Sequence, residues 1–452
     1  MAMESAYPVR AFAGWAVRQA ADAAVGLSRR LGGSTTGPEI DPDLALAWFA
    51  GSFTPLGWSI PPPWDSLAGD YPCADGWIRL HTNAPHHRQA ALAALGLPVD
   101  PAPDRGTVAA AATGWAPEAL EQAVVAAGGC AARMRSPQEW LQHPAGAAVA
   151  QEPLITWTRL GSAPRLSPES SPERPLAGVR VLDLTRIIAG PVATRFLAGL
   201  GAEVLRIDPP GWEEPASEAE LTLGKRCARL DLTSAAGGRR IRELVAGADM
   251  VVSGYRKGAL AGLGLDSAAL QQLRPGLVEV SLNAYGWTGP WSGRRGFDSL
   301  VQMSSGIAHA GMLHFGTDAP RPLPVQALDH ATGYLAAAAA LRAWLLRLDG
   351  GVFSARLSLA RTAVQLQHMA DNGPPAGASG QAAVAGQDSG KDAGKDSGQE
   401  GGTPGFEQVQ EQTFWGPGRR LLPPVRFTGP GTVPHLAWDV PAGPLGAAEP
   451  QW

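Results

Sequence analysis

Apolar and polar positions fall in blocks along this chain, and the period changes from block to block. Val179, Val181, Leu182 and Leu184 form a β-branched and aliphatic run of the kind a strand buried on both faces requires. Ala189-Gly190-Pro191 make a turn, with Pro191 placed where a first helical turn tolerates it. Phe196, Leu197 and Leu200 follow at helical spacing, and Gly201 closes that helix. Val204, Leu205 and Ile207 open a second buried run, stopped by Asp208-Pro209-Pro210-Gly211. The stretch from Gly178 to Gly211 therefore predicts a β-α-β unit, the seed of a parallel sheet.

The same alternation continues downstream. Short apolar runs predict strands at Leu230–Leu232, Met250–Val252, Leu277–Leu282 and Val352–Leu359, with helices over Ala235–Ala246 and Ser267–Leu273 between them. This is the pattern of an α/β fold with a Rossmann-like parallel sheet, expected over residues 177–370. Upstream, residues 1–60 read as a helical extension, with an amphipathic helix to about residue 35 and a helix-like ALAWFAG further on. Residues 61–160 read as a smaller α/β domain, with a strand at Trp77–Leu80, helices at Gln89–Leu97 and Glu118–Ala127, and a short helix in PQEWLQHP. Residues 161–176, rich in Ser, Pro and Gly, read as a linker. Residues 371–404 carry almost no large apolar side chain and are expected to be disordered, because they bury too little to offset their ordering entropy. The tail, 405–452, regains aromatics and is expected to pack on the large domain.

Composition narrows the partners. With 452 residues there is chain enough for two or three domains, and 45% hydrophobic with 17% charged residues fit a globular protein. A net charge of −4 gives no global reason to expect nucleic acid or an anionic membrane as partner, so any polyanionic ligand must be bound locally. The most apolar helix candidate, Ala331–Leu346, is short, alanine-rich and interrupted by Arg342. The apolar stretches near the N-terminus are broken by Arg10, Arg18 and Asp22, unlike a leader. Cys73, Cys130 and Cys227 are widely spaced, as expected of reduced thiols in a cytoplasm. His81 and the pair His86-His87 read as a solvated loop rather than metal ligands, and no metal is expected. There is no P-loop, zinc-spaced cluster or nucleophile elbow, and the first strand-to-helix turn has the single Gly190 where a dinucleotide fingerprint wants three.

The succession PLAGVRVLDLTRIIAGPVATRFLAGLGAEVLRIDPPG, GKRCARLDL, ADMVVSGYRKGALAGLGLD and SLNAYGWTGPWSGRRGFDSLVQMSSG resembles the class III CoA-transferase family, the superfamily of carnitine and formyl-CoA transferases and α-methylacyl-CoA racemases. The match runs through most of residues 175–365 in the family's own order. The family's catalytic aspartate stands in an Asp-x-x-x-Gly context that matches Asp329-His330-Ala-Thr-Gly333, so the resemblance places the nucleophile at Asp329. It implies exchange of CoA between an acyl-CoA thioester and a carboxylic acid through an aspartyl-CoA intermediate. From the residues alone, Asp329 reads rather as the cap of an alanine-rich helix, and only the resemblance turns the reading to a nucleophile. Coenzyme A enters as a substrate, and the implied contacts are Ile188, Ala189, Gly190 and Pro191 in the turn, with Lys225, Arg226, Tyr255, Arg256 and Arg295. Ile187, Lys257 and Arg294 are further candidates.

The resemblance also carries departures. Gly224 replaces a family Asn, Ser253-Gly254-Tyr255 replaces Glu-Asn-Phe, and the small domain, which the family places after the large one, resembles residues 61–160 instead. These leave a second reading, a CoA-ester binding or regulatory relative with weakened catalysis. A racemase is a third, but Gly296-Phe297-Asp298 has phenylalanine where racemases carry a proton-transferring His. His330, on the helical position after Asp329, points about 100° away from it. By the same resemblance the chain is expected to form an interlocked homodimer.

Overall fold

The computed structural model describes residues 3–167, 169–373 and 405–452. Of the segment 371–404 expected to be disordered, Asp371 and Asn372 end the helix Leu359–Asn372, and 374–404 lie outside the described residues.

Seven strands form the main sheet, in the spatial order Thr156–Ser162, Gly351–Ser358, Val278–Asn283, Met250–Ser253, Arg180–Leu184, Glu203–Asp208 and Lys225–Arg229. The last six are mutually parallel, and in chain order they run 3-2-1-4-5-6 from the Lys225–Arg229 edge, the doubly wound arrangement. Thr156–Ser162 pairs antiparallel with Gly351–Ser358 and closes the other edge. The strands are short and apolar because both faces are covered. Val181, Val204, Val252 and Val280 face one core, while Leu182, Leu184, Leu205 and Val251 face the other. Helices Ala235–Ala246 and Ser267–Leu273 cover the second face.

The first face carries helices Ala189–Gly199 and Ala327–Leu348, and Val9–Arg30 packs on the second of these. Ala336 to Ala340 are fully buried, and this run of small side chains lets the Val9–Arg30 helix lie close against the Ala327–Leu348 helix. Fourteen residues of Val9–Arg30 are buried, including Phe12, Ala16, Ala20 and Leu27 at helical spacing, so this helix is part of the main core rather than an appendage. At Gly333 the Ala327–Leu348 helix meets the Ala189–Gly199 helix so closely that a Cβ would sit 2.5 Å from the Ala189 carbonyl oxygen.

A second core is local. Strands Gly69–Cys73, Gly76–Leu80 and Ala131–Arg133 form an antiparallel sheet, backed by helices Pro85–Leu95, Arg105–Ala112 and Pro117–Ala126 around Tyr71, Ile78, Leu92 and Val124. The tail is stitched to the N-terminal segment: Val425–Thr428 pairs with Gly37–Ile40, and Gly416–Leu421 pairs with Gln408–Thr413 and Phe53–Pro55. It also reaches the helices on the large sheet, where the indole N–H groups of Trp438 and Trp452 donate to the carbonyls of Arg195 and Leu244, each at 2.8 Å.

Two local expectations shift. The third parallel strand is Lys225–Arg229, not Leu230–Leu232, since Cys227 and Ala228 fill the buried positions and Leu230 only extends the edge with an N–H bond to the Asp208 carbonyl. Thr156–Ser162 enters the large sheet across the 160/161 boundary, and the segment after it runs against the large domain, with Leu166 N–H on the Leu348 carbonyl.

Candidate active site

In a doubly wound sheet, crossovers leave in opposite directions at one point, and a crevice opens beyond the carboxyl ends of the strands there. Here that point lies between Arg180–Leu184 and Met250–Ser253. The loop that enters it is Thr185-Arg186-Ile187-Ile188. Ile187 has φ of 69°, a left-handed conformation that a β-branched residue adopts at a cost of about 1–3 kcal/mol. Its N–H is held at 2.7 Å by Oε1 of Glu214. Gly190 follows because a Cβ there would stand 2.2 Å from the Thr185 side chain.

Ile187 and Ile188 form one wall of a cavity of about 1260 Å³. Its other walls come from three parts of the chain: Phe49–Gly51 and Pro61–Trp64 from the N-terminal segment, His81 and His86 from the small sheet unit, and Asp298, Asp329 and His330 from the large domain. The volume exceeds that of a typical small-ligand pocket and suits a long, jointed ligand.

Asp329 lies in the first turn of the Ala327–Leu348 helix and is buried, as is Asp298 at the start of Asp298–Ser304. The Asp329 N–H donates to Oδ2 of Asp298 at 2.8 Å. Asp298 also accepts from the Gln302 amide, whose oxygen in turn takes the Leu323 N–H at 2.7 Å. Among the described residues no group donates to the Asp329 carboxyl. Burial raises this carboxyl well above the usual carboxylate range, and the neighbouring Asp298 charge raises it further. Burial raises Asp298 too, opposed by its bonds from Gln302 and the Asp329 and Leu328 amides. The pair thus holds its charge on Asp298, where donors gather, and its proton on Asp329.

His330 is buried in the cavity wall, stacked on Phe49 at 4.8 Å, and burial pushes it down to about 3. The apolar packing of Phe49 keeps it neutral and inside. His81, also pushed down to about 3 by burial, stacks on Phe297 at 3.7 Å between centroids. It is packed, not a solvated loop residue.

The remaining expected contacts separate. Ile188 lines the cavity; Ala189, Gly190 and Pro191 are buried in the helix that follows and do not line it. Lys225 is fully buried, its ammonium on Oδ2 of Asp183 at 3.1 Å and on the Pro191 carbonyl at 2.8 Å, so it is withheld from any ligand in the cavity. Arg226 is half-buried on the outer strand, away from the cavity. Arg294 is spent on Glu121 and the Ala131 carbonyl and stacks on Trp291. Lys257 donates to the Trp287 carbonyl. Arg256 is exposed beside the crevice; Arg295 is exposed too, bonded to the Gly128 carbonyl and close enough to His86 to lower its pKa.

Tyr255 sits under the guanidinium of Arg186, which also lies over Trp212, at 5.1 and 5.0 Å from the two rings. Arg186 has no carboxylate partner among the described residues, and it stands directly after the first strand's carboxyl end. Arg186 is not among the expected contacts, although its place in that turn was the available signal. Asp298 stands in Gly296-Phe297-Asp298, a motif that by itself assigns it no role. Among the described residues no group of three His, Cys, Asp or Glu side chains is arranged to hold a metal ion, and no helix is long and apolar enough to cross a membrane.

Comparison with known proteins adds to this geometry. Residues 176–390 match the family model described as CoA-transferase family III. An acyl-CoA transferase of Gibberella moniliformis is 34% identical over 232 residues, which is 48% of this chain and 40% of that protein. The succinyl-CoA:glutarate CoA-transferase of Mus musculus is 36% identical over 191 residues, covering 39% of this chain and 43% of that one. The crystal structure of Rv3272 from Mycobacterium tuberculosis is similar at 32% identity and a TM-score of 0.40, covering 43% of this chain and 57% of that one. The chain thus spans about half the length, or less, of the curated relatives named here.

Proposed function

We propose that this chain, whose residues 176–390 belong to CoA-transferase family III, exchanges CoA between an acyl-CoA thioester and a carboxylic acid with Asp329 as nucleophile. One observation carries the reading: the Asp329 carboxyl is buried on the cavity wall, at a helix N-terminus, with no donor spent on it. A carboxylate in that position is poorly solvated and therefore reactive, while the helix end favours its negative charge.

The Asp329 carboxylate attacks the thioester carbonyl, giving a mixed anhydride and expelling CoA thiolate. The thiolate attacks the Asp329 carbonyl of the anhydride, giving an aspartyl-CoA thioester and releasing the donor acid as carboxylate. The acceptor carboxylate attacks that thioester and again frees the thiolate, which takes the acceptor's acyl carbonyl and leaves Asp329 as carboxylate. Each acylation of Asp329 removes a charge that Asp298 opposes across a short buried gap. The ionised pair is thus raised in energy relative to the covalent intermediate.

Coenzyme A is a substrate on this reading, with no resident metal or cofactor. Its phosphates are assigned to the crevice mouth, where Arg186 lies between Trp212 and Tyr255 and where Arg256 and Arg295 are exposed. A guanidinium over aromatic faces, unpaired with acid, suits a phosphate. The formyl-CoA and carnitine type of mechanism, and the homodimer, are proposed from the family resemblance. A mass-spectrometric exchange screen, pairing acyl-CoA thioesters with carboxylic acids and using Asp329→Ala as control, tests the reading. New CoA thioesters should appear with the native chain and vanish with the variant. CoA binding by calorimetry without any exchange would favour the binding-protein reading, which the internal use of Lys225 supports.

A further inference from the structure

We infer that the acyl group accepted at this site is an apolar monocarboxylic one, and that the cavity rejects acyl groups bearing a second carboxylate. The inference rests on the CoA-transferase reading above and narrows its substrate class.

The wall of the cavity contains no Lys or Arg among its described residues. Its hydrophobic part is aromatic and aliphatic: Phe49, Phe53, Ile60, Trp64, Phe297 and Val325. The histidines in the wall, His81, His86 and His330, are each held below the ordinary histidine range, chiefly by burial, so they bring no positive charge at neutral pH.

The acids in the wall point the same way. Besides Asp298 and Asp329 it carries Asp65, Glu213, Glu214 and Glu220. Each of these four has its guanidinium already: Arg88 on Asp65 at 2.9 Å, Arg229 on Glu213 at 2.6 Å, Arg206 on Glu214 at 2.8 Å, and Arg195 with Arg420 on Glu220. The cations paired with the acids of the wall are therefore consumed by protein carboxylates, and the guanidinium left unpaired, Arg186 over Trp212, stands at the mouth, where it is assigned to the CoA phosphates. The far carboxylate of a dicarboxylic acyl chain would enter a partly desolvated space facing like charge, without a partner. An apolar chain or aryl group of the same length would meet Phe49, Trp64 and Phe297 instead. This sets the chain apart in substrate class from relatives whose names specify succinyl-CoA and glutarate.

The test compares hexanoyl-CoA with adipoyl-CoA, which have equal carbon number and differ by the terminal carboxylate, using the full chain. Hexanoyl-CoA should be used with kcat/KM higher by about 100-fold, the scale of an unpaired buried charge. Ratios within about threefold of unity, or a preference for adipoyl-CoA, would overturn the inference and leave the transferase reading intact. Calorimetry on Asp329→Ala makes the comparison without turnover. Tighter binding of hexanoyl-CoA by tenfold or more on that scale supports the inference even where no exchange is seen, a result that counts against the transferase reading alone. Equal affinities overturn it. Ile60→Arg, at a half-buried position of the apolar wall, should narrow the ratio by raising use of adipoyl-CoA.

Discussion

The backbone N–H of Asp329 donates to Oδ2 of Asp298 at 2.8 Å, so the first turn of the Ala327–Leu348 helix is tied to the carboxylate that opposes ionisation of its own Asp329 side chain. Position and reactivity are coupled in one contact. The bond fixes the proposed nucleophile, and the charge that accepts the bond keeps it protonated until pH rises.

That coupling sets the pH dependence. On the proposed mechanism Asp329 attacks only when ionised, and its folded pKa is raised, so activity should climb as pH rises through that pKa. Asp298→Asn removes the opposing charge and should move the acid limb of the kcat/KM profile to lower pH. Initial rates of CoA exchange across pH check it; an unmoved limb would mean that Asp298 does not tune Asp329.

The same shift has a stability sign. A carboxyl whose folded pKa lies above its unfolded value binds more protons when folded. Its contribution is fully present below the unfolded pKa and is lost as pH rises through the folded one. Asp329→Asn should therefore raise the thermal midpoint, more at pH 8 than at pH 5. Differential scanning fluorimetry at the two pH values reads this directly.

Lys225 should behave as a structural residue. It is fully buried on Asp183, and removing one partner of such a pair costs on the order of 3–5 kcal/mol. Lys225→Met should lower the denaturation midpoint in urea accordingly, while the folded fraction keeps its affinity for CoA. A variant of full stability with lost CoA affinity would restore Lys225 as a ligand contact.

Arg186→Gln should weaken CoA binding by roughly 10- to 100-fold, the loss of a charge-assisted contact. The effect should fall mainly on KM and shrink at high salt. Steady-state kinetics at two ionic strengths decide it.

Gly190→Ala should destabilise the chain by about 1–3 kcal/mol through overpacking against Thr185. It should also displace the loop at Ile187, which chemical denaturation and substrate KM would report together.

The β-α-β seed was legible in the sequence because its signals are local. Val181 to Leu184, the glycine after the helix and Val204 to Ile207 each declare themselves within a few residues. The proposed role of Asp329 rests on the motif around it, since its own residues favour a helix cap. What the sequence hid is long-range. Lys225 reads as a free cation until Asp183, forty-two positions earlier, is seen to hold it. The Val9–Arg30 helix reads as an extension until the alanines at 336–340 open a groove for it. Arg186 stands in the quoted turn but gains meaning only beside Trp212 and Tyr255, which come from two other loops. Asp298 likewise needs Asp329 next to it before either carboxyl acquires a role.

Trapping the acyl-enzyme tests whether Asp329 is the nucleophile. The native chain is incubated with an acyl-CoA, treated with hydroxylamine, digested and analysed by mass spectrometry. A hydroxamate on Asp329, absent without acyl-CoA and absent in Asp329→Ala, is the expected result. CoA exchange that persists in Asp329→Ala, or an adduct on a different residue, would contradict it.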